Sequence, residues 1–217
     1  MKNILTTVVI ALLPVSSAMA GSAEENPVRP VSAPDTRLTS ALRATVAKLN
    51  QQLSNDSTKV RLFAQLADKQ KSDEQGHLVP SNKIVKVLDA KSWPEDTVTS
   101  YIALVRNDGT VAVFQEIPVS ESGDWFNTYT HYYDEKGKTI AFQRYSSFFN
   151  GCPDSPSNET STYYYAEHRL IAKDYSLLGE NNKKIEPDQC DFMYRHDYSI
   201  WGTWMETKNA SGIGQAW

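Results

Sequence analysis

Two stretches of this chain are written alike. Residues 132–152 read YYDEKGKTIAFQRYSSFFNGC and residues 163–178 read YYYAEHRLIAKDYSLL, so each carries a tyrosine run, a short polar turn, Ile-Ala and Tyr-Ser. Ten of the eleven tyrosines fall between Tyr129 and Tyr198, which concentrates the rings in one half of the sequence. Tyrosine and threonine favour a pleated, half-buried surface, and facing arms of this kind make cross-strand ring contacts. The repetition therefore reads as architecture, two consecutive β-hairpins. The first runs out from Phe126, turns at DEKGK with Gly137 in the left-handed position, and returns from Thr139 to about Phe149. The next runs out over 163–167 and back over 170–178, with a shorter turn that lacks glycine. An earlier hairpin is written in TSYIALVRNDGTVAVFQEI, where Asn107-Asp108-Gly109 joins two β-rich runs. A last β segment is expected in CDFMYRHDYSIWGTWME, residues 190–206.

The N-terminal half follows another rhythm. Leu38, Leu42, Val46, Leu49 and Leu53 recur every three or four residues and make one stripe of an amphipathic helix, with Asp35 or Thr36 available as its cap. Val60, Phe63, Leu66 and Ala67 continue a similar spacing beyond SNDS and predict a second helix. Ile84, Val85, Val87 and Leu88 fit either a short helix or a lead-in strand. The expected class is α+β: an N-terminal helix or helix pair followed by an antiparallel β-meander of about six to eight strands. Its divisions are a signal peptide over 1–20, a flexible linker over 21–34, a helical segment over 35–95 and an antiparallel β domain over 96–217.

The opening residues, MKNILTTVVIALLPVSSAMA, have a basic start, an apolar run and an A-x-A site, the pattern of a Sec-type signal cleaved after Ala20. A bacterial protein of the periplasm, or one secreted from the cell, is expected. No later segment is apolar for long enough to suggest a membrane helix. Loss of the signal leaves 21 bases against 26 acids and no dense Lys/Arg stripe, which argues against a nucleic-acid partner. In an oxidising compartment the two cysteines, Cys152 and Cys190, are expected to form one disulfide.

Reactive chemistry finds no motif. No G-x-S-x-G elbow, phosphate-cradling glycine loop or C-x-x-C pair is present. His77, His131, His168 and His196 have no zinc-ligand spacing. Carboxylates such as Glu116, Glu121, Asp124, Asp134 and Glu167 form only the pairs that any β protein contains. The loops DSPSNE and ENNKKIEPDQ lack the order of a calcium loop. No catalytic residue, cofactor or metal ligand is therefore assigned, and enzymatic activity is not expected.

The YYDEKGKTI hairpin resembles the tyrosine-aspartate-glycine hairpin repeats of secreted bacterial surface proteins over two units, a likeness that carries no residue roles across. What the sequence leaves is an aromatic surface. Tyr129, His131 and Tyr133 share one face of a strand, with Tyr163 and Tyr165 in the following hairpin. Exposed tyrosines make protein- or sugar-binding surfaces, whereas helices over 35–71 would cover such a face. The expectation is an exported, non-catalytic binding protein for a protein or glycan partner, using the tyrosine-rich sheet or the disulfide-stapled third hairpin. A periplasmic inhibitor or immunity-type protein that blocks a toxin or envelope enzyme is the first alternative, and an envelope hydrolase with an unrecognised site the second.

Overall fold

A computed structural model of the chain describes residues 33–74, 76–153, 155–191 and 198–217. The signal of 1–20, most of the linker, Asp154 and the 192–197 part of the last expected β segment, His196 included, lie outside the described residues. One long helix, α1 (Ala33–Asn55), comes first and is followed by eight strands: β1 (Val60–Ser72), β2 (Leu78–Val87), β3 (Thr97–Val105), β4 (Val111–Pro118), β5 (Trp125–Tyr133), β6 (Thr139–Phe148), β7 (Ser157–Ala166) and β8 (Arg169–Leu178). A short helix, α2 (Trp204–Ala210), lies near the end. The strands form a single antiparallel sheet in the order β2-β1-β3-β4-β5-β6-β7-β8, a meander from β3 onward.

Two expectations are corrected. Residues 60–72 are a strand, not a second helix, and the undecided run at 84–88 belongs largely to strand β2. β1 pairs on both sides, with β2 and with β3, and consecutive residues Phe63 and Ala64 are both buried. A central strand covered on both faces has no reason to alternate, so its apolar spacing can mimic a helix. At the other end, 204–210 is helical, not β. Thr203 Oγ1 accepts from the Glu206 N–H at 3.2 Å while Glu206 Oε2 accepts from the Thr203 N–H at 3.1 Å, a reciprocal cap that starts α2.

Each face of the sheet is covered from a different end of the chain. α1 lays Val46, Leu49 and Leu53 on Ile102, Leu104, Val113, Tyr132, Ala141 and Tyr164. The opposite face packs Phe63, Tyr101, Phe114 and Tyr133 against Trp204, Ile213 and Trp217. The doubled tyrosine explains itself here, because adjacent strand residues face opposite ways. Tyr132 donates its hydroxyl to Asn50 Oδ1 of α1 at 2.9 Å, and Tyr133 donates to Thr207 Oγ1 of α2 at 2.8 Å.

Cys152 and Cys190 are bonded, with an S–S distance of 2.07 Å. The bridge packs with Phe148, Leu177 and Ile185. The hairpin it brackets, β7–β8, is no separate flap: β7 pairs with β6 from Ser157 to Tyr164, so the staple closes the end of a continuous sheet.

Candidate binding groove at the hairpin tips

Three hairpin turns project from the same end of the sheet, and each is fixed by its own side chains. Asp108 Oδ1 accepts from the Thr110 N–H at 2.9 Å and from its hydroxyl at 2.7 Å, with Gly109 at φ +86°. Asp134 Oδ1 accepts from the N–H groups of Lys136 and Lys138 at 2.9 and 2.8 Å, with Gly137 at φ +75°. Arg106 ties the two turns together by donating to the carbonyls of Val111 at 2.8 Å and Asp134 at 3.2 Å. The third turn has no glycine, and Glu167 and His168 take φ of 49° and 64° in its place. Left-handed backbone at two successive residues with side chains is uncommon and costs conformational energy.

Between α1 and these tips runs an open groove of about 1010 Å3. Leu38, Leu42, Leu104, Ala112, Ile140 and Ala166 give it apolar walls, and Lys48, Glu135, Lys136, Lys138 and Glu167 line it with charge of both signs. Leu38, the first residue of the helical stripe, is 42% exposed at the groove rather than packed on the sheet. The Glu167-His168 tip divides this groove from a smaller cavity of about 120 Å3, lined by Thr139, Tyr165, His168, Ile200, Trp201 and Gly202. A Cβ at Gly202 would stand 3.1 Å from His168 Nδ1 and 3.3 Å from Glu206 Oε2, so a larger residue there would push on the His168 ring.

The five residues expected to form a binding surface separate into two groups. Tyr129, His131 and Tyr133 do share a face, but they are buried: Tyr198 stacks on Tyr129 at 4.2 Å between ring centres, and the Trp201 N–H donates to His131 Nε2 at 3.2 Å. Covering came from residues 198–217 rather than from helices over 35–71. Tyr163 and Tyr165 stay half-buried, Tyr165 beside the smaller cavity and Tyr163 under the Lys173 ammonium, 5.3 Å from the ring centre.

The titratable groups under that cover are displaced by their surroundings. Burial pulls the His131 pKa down to about 3, so the ring is neutral and acts as an acceptor. Burial raises Glu116, against the opposing effect of the Tyr198 hydroxyl, which donates to Glu116 Oε2 at 3.2 Å. Arg144 Nη2 meets the fully buried Glu159 at 2.9 Å. The other carboxylates considered as acid–base pairs have local duties: Glu121 accepts from the Leu78 N–H at 2.7 Å, and Asp134 holds its own turn. Among the described residues no group of three or more His, Cys, Asp or Glu side chains is placed to hold a metal ion. No helix among them is long and apolar enough to cross a membrane.

Sequence reasoning did not find the groove, because its walls come from one helix and three turns that are distant in the chain. The signals available were the apolar flank of α1 at Leu38 and the turn residues at 106–109 and 134–138. No family model, no curated protein and no solved structure matches this chain.

Proposed function

We propose that this chain is a non-catalytic, exported binding protein that holds an amphipathic segment of a protein partner in the groove between α1 and the hairpin tips. The observation that carries the reading is the groove itself, about 1010 Å3 of open space with apolar walls and charge of both signs along it. Partner-binding surfaces combine an apolar centre with a polar surround in this way. Export is supported by the signal-like start of the sequence and by the Cys152–Cys190 bond, which suits an oxidising compartment such as the bacterial periplasm or the cell exterior. The third hairpin keeps its expected place in this reading, since its tip forms one wall of the groove.

The test is capture from an envelope extract by the purified, oxidised protein, set beside Leu38→Glu and Ala166→Glu. The native protein is expected to retain a discrete partner that both variants lose. Retention unaffected by either variant, or hydrolytic turnover abolished by changing one histidine or carboxylate, would reject the groove reading. A glycan ligand is a second reading, favoured by the rings of Tyr165 and Trp201 beside the smaller cavity. Glycan-array binding lost on Trp201→Ala, with protein capture absent, would favour it over the first.

A further inference from the structure

The smaller cavity is a side chamber of the groove. Thr139, Tyr165 and His168 line both spaces, so a segment lying in the groove at the third turn also meets the mouth of the cavity. The chamber holds about 120 Å3. An apolar cavity of roughly 150 Å3 admits a single benzene ring, so this space suits one ring entering on a tether.

The walls are fixed before any ligand arrives. The Thr139 hydroxyl donates to the Trp201 carbonyl at 2.6 Å, the Thr139 N–H donates to the Gly202 carbonyl at 2.9 Å, and the Trp201 N–H is taken by His131 Nε2. Walls held in this way lower the ordering cost of binding. Across the chamber, Glu167 and His168 keep left-handed backbone in a turn where glycine or asparagine would relieve the strain. The His168 ring reaches the C-terminal cover, since its Nδ1 lies 3.1 Å from where a Cβ of Gly202 would stand.

The same bonds decide the chemistry of the ligand. With the Thr139 hydroxyl and the Trp201 and Gly202 carbonyls already paired, a ligand meets the His168, Tyr165 and Trp201 rings and the side chain of Ile200, which is 38% exposed. Sugar hydroxyls buried there would go largely unpaired, which is unfavourable. An aromatic ring needs no such partners and packs well on the edges and faces of other rings.

We propose that the cavity is a ring-binding subsite of the groove, which takes one aromatic side chain, that of a phenylalanine or tyrosine, from the partner segment held there. The inference rests on the groove reading and names the residue type by which the partner is recognised. A single ring buried in a fixed pocket is a common anchor of a protein contact, with the surrounding contacts serving to exclude water.

The probe is p-cresol, the tyrosine side chain without its backbone. In an NMR titration the oxidised native chain is expected to bind it, and Ile200→Trp, which fills the chamber from an exposed position, to bind it about tenfold or more weakly. Leu38→Glu changes a groove residue outside the cavity lining and should bind it as the native chain does. A native chain that takes no p-cresol, an Ile200→Trp chain that binds it equally, or methyl glucoside bound at the same place instead, overturns the subsite. If Ile200→Trp does not fold, His168→Gly carries the test. Glycine accepts the left-handed backbone, so the turn is kept while the chamber loses a wall. Weaker p-cresol binding is expected, and unchanged binding overturns the subsite. The groove is judged separately. If Leu38→Glu abolishes partner capture but saturating p-cresol leaves capture by the native chain intact, the subsite is overturned and the groove stands. If Leu38→Glu leaves capture intact while p-cresol binding still follows residue 200, the groove reading fails and the ring site stands by itself.

Discussion

His131 shows what a side chain gives up when a sheet face is closed over it. Its Nε2 accepts the Trp201 N–H, its ring lies among Tyr133, Phe142 and Tyr198, and burial holds its pKa down to about 3. An unfolded chain takes up a proton near pH 6.5 that the folded chain refuses until about pH 3. The stability this group supplies is therefore complete above pH 6.5 and declines as the pH falls through that window, by up to about 1.4 kcal/mol per pH unit. Urea denaturation of His131→Gln should show a shallower loss between neutral pH and pH 4 than the native protein, even if the variant is weaker at pH 7. Equal slopes would mean that the native ring is solvated. Glu116 has the opposite sign. Its pKa is raised in the fold, so its contribution is intact below the ordinary glutamate range and is lost as the pH rises through the raised value. Glu116→Gln, which keeps an oxygen for the Tyr198 hydroxyl, is expected to be more stable relative to the native protein at pH 7 than at pH 4. The reverse order would show that the charge is compensated.

Among the elements, β7 and β8 depend most on something outside the ladder, because they form the end of the sheet and the disulfide closes around them. Cys152 and Cys190 are 38 residues apart, and removing both with serine should cost roughly 3 to 4 kcal/mol in guanidinium denaturation on the chain-entropy model. A cost below about 1 kcal/mol would mean that the β6–β7–β8 ladder orders the segment unaided. These hairpins were legible in the sequence for local reasons: Gly109 and Gly137 mark turns, and threonine and tyrosine mark the arms between them. β1 was not legible, because its partner β3 lies 30 or more residues away and double burial removes the period-2 pattern that marks a strand. α2 was written in Thr203 and Glu206, a T-x-x-E cap, but the surrounding Trp201, Trp204 and Tyr198 favoured β. Cys152 and Cys190 were read correctly from compartment alone. The tyrosine surface was placed on the right face yet is closed, since Tyr129 and Tyr133 meet partners from beyond residue 197 that no short window includes.

The described residues form a sheet used as a partition, with α1 on one side and residues 198–217 on the other. The two covers meet the same strands but not each other in the apolar clusters: Leu49 belongs with Tyr132 and Ile102, while Ile213 belongs with Tyr133, Phe114 and Trp217. A sheet keeps side chains of its two faces apart by the thickness of its backbone, so a cavity opened on one face should not relax by borrowing atoms from the other. Leu49→Ala is expected to cost about 2 to 4 kcal/mol and Ile213→Val about 1 kcal/mol, each by the transfer and cavity terms of its own cluster. If the partition is rigid, the double variant measured by denaturant titration should lose the sum of the two within about 0.5 kcal/mol. A larger interaction energy of either sign would mean that β3 to β5 shift as the first cavity forms, and that α1, the wall of the groove, is mechanically linked to the C-terminal cover. In that case occupancy of the groove would alter the solvent exposure of Trp204 and Trp217, and additive energies rule that linkage out.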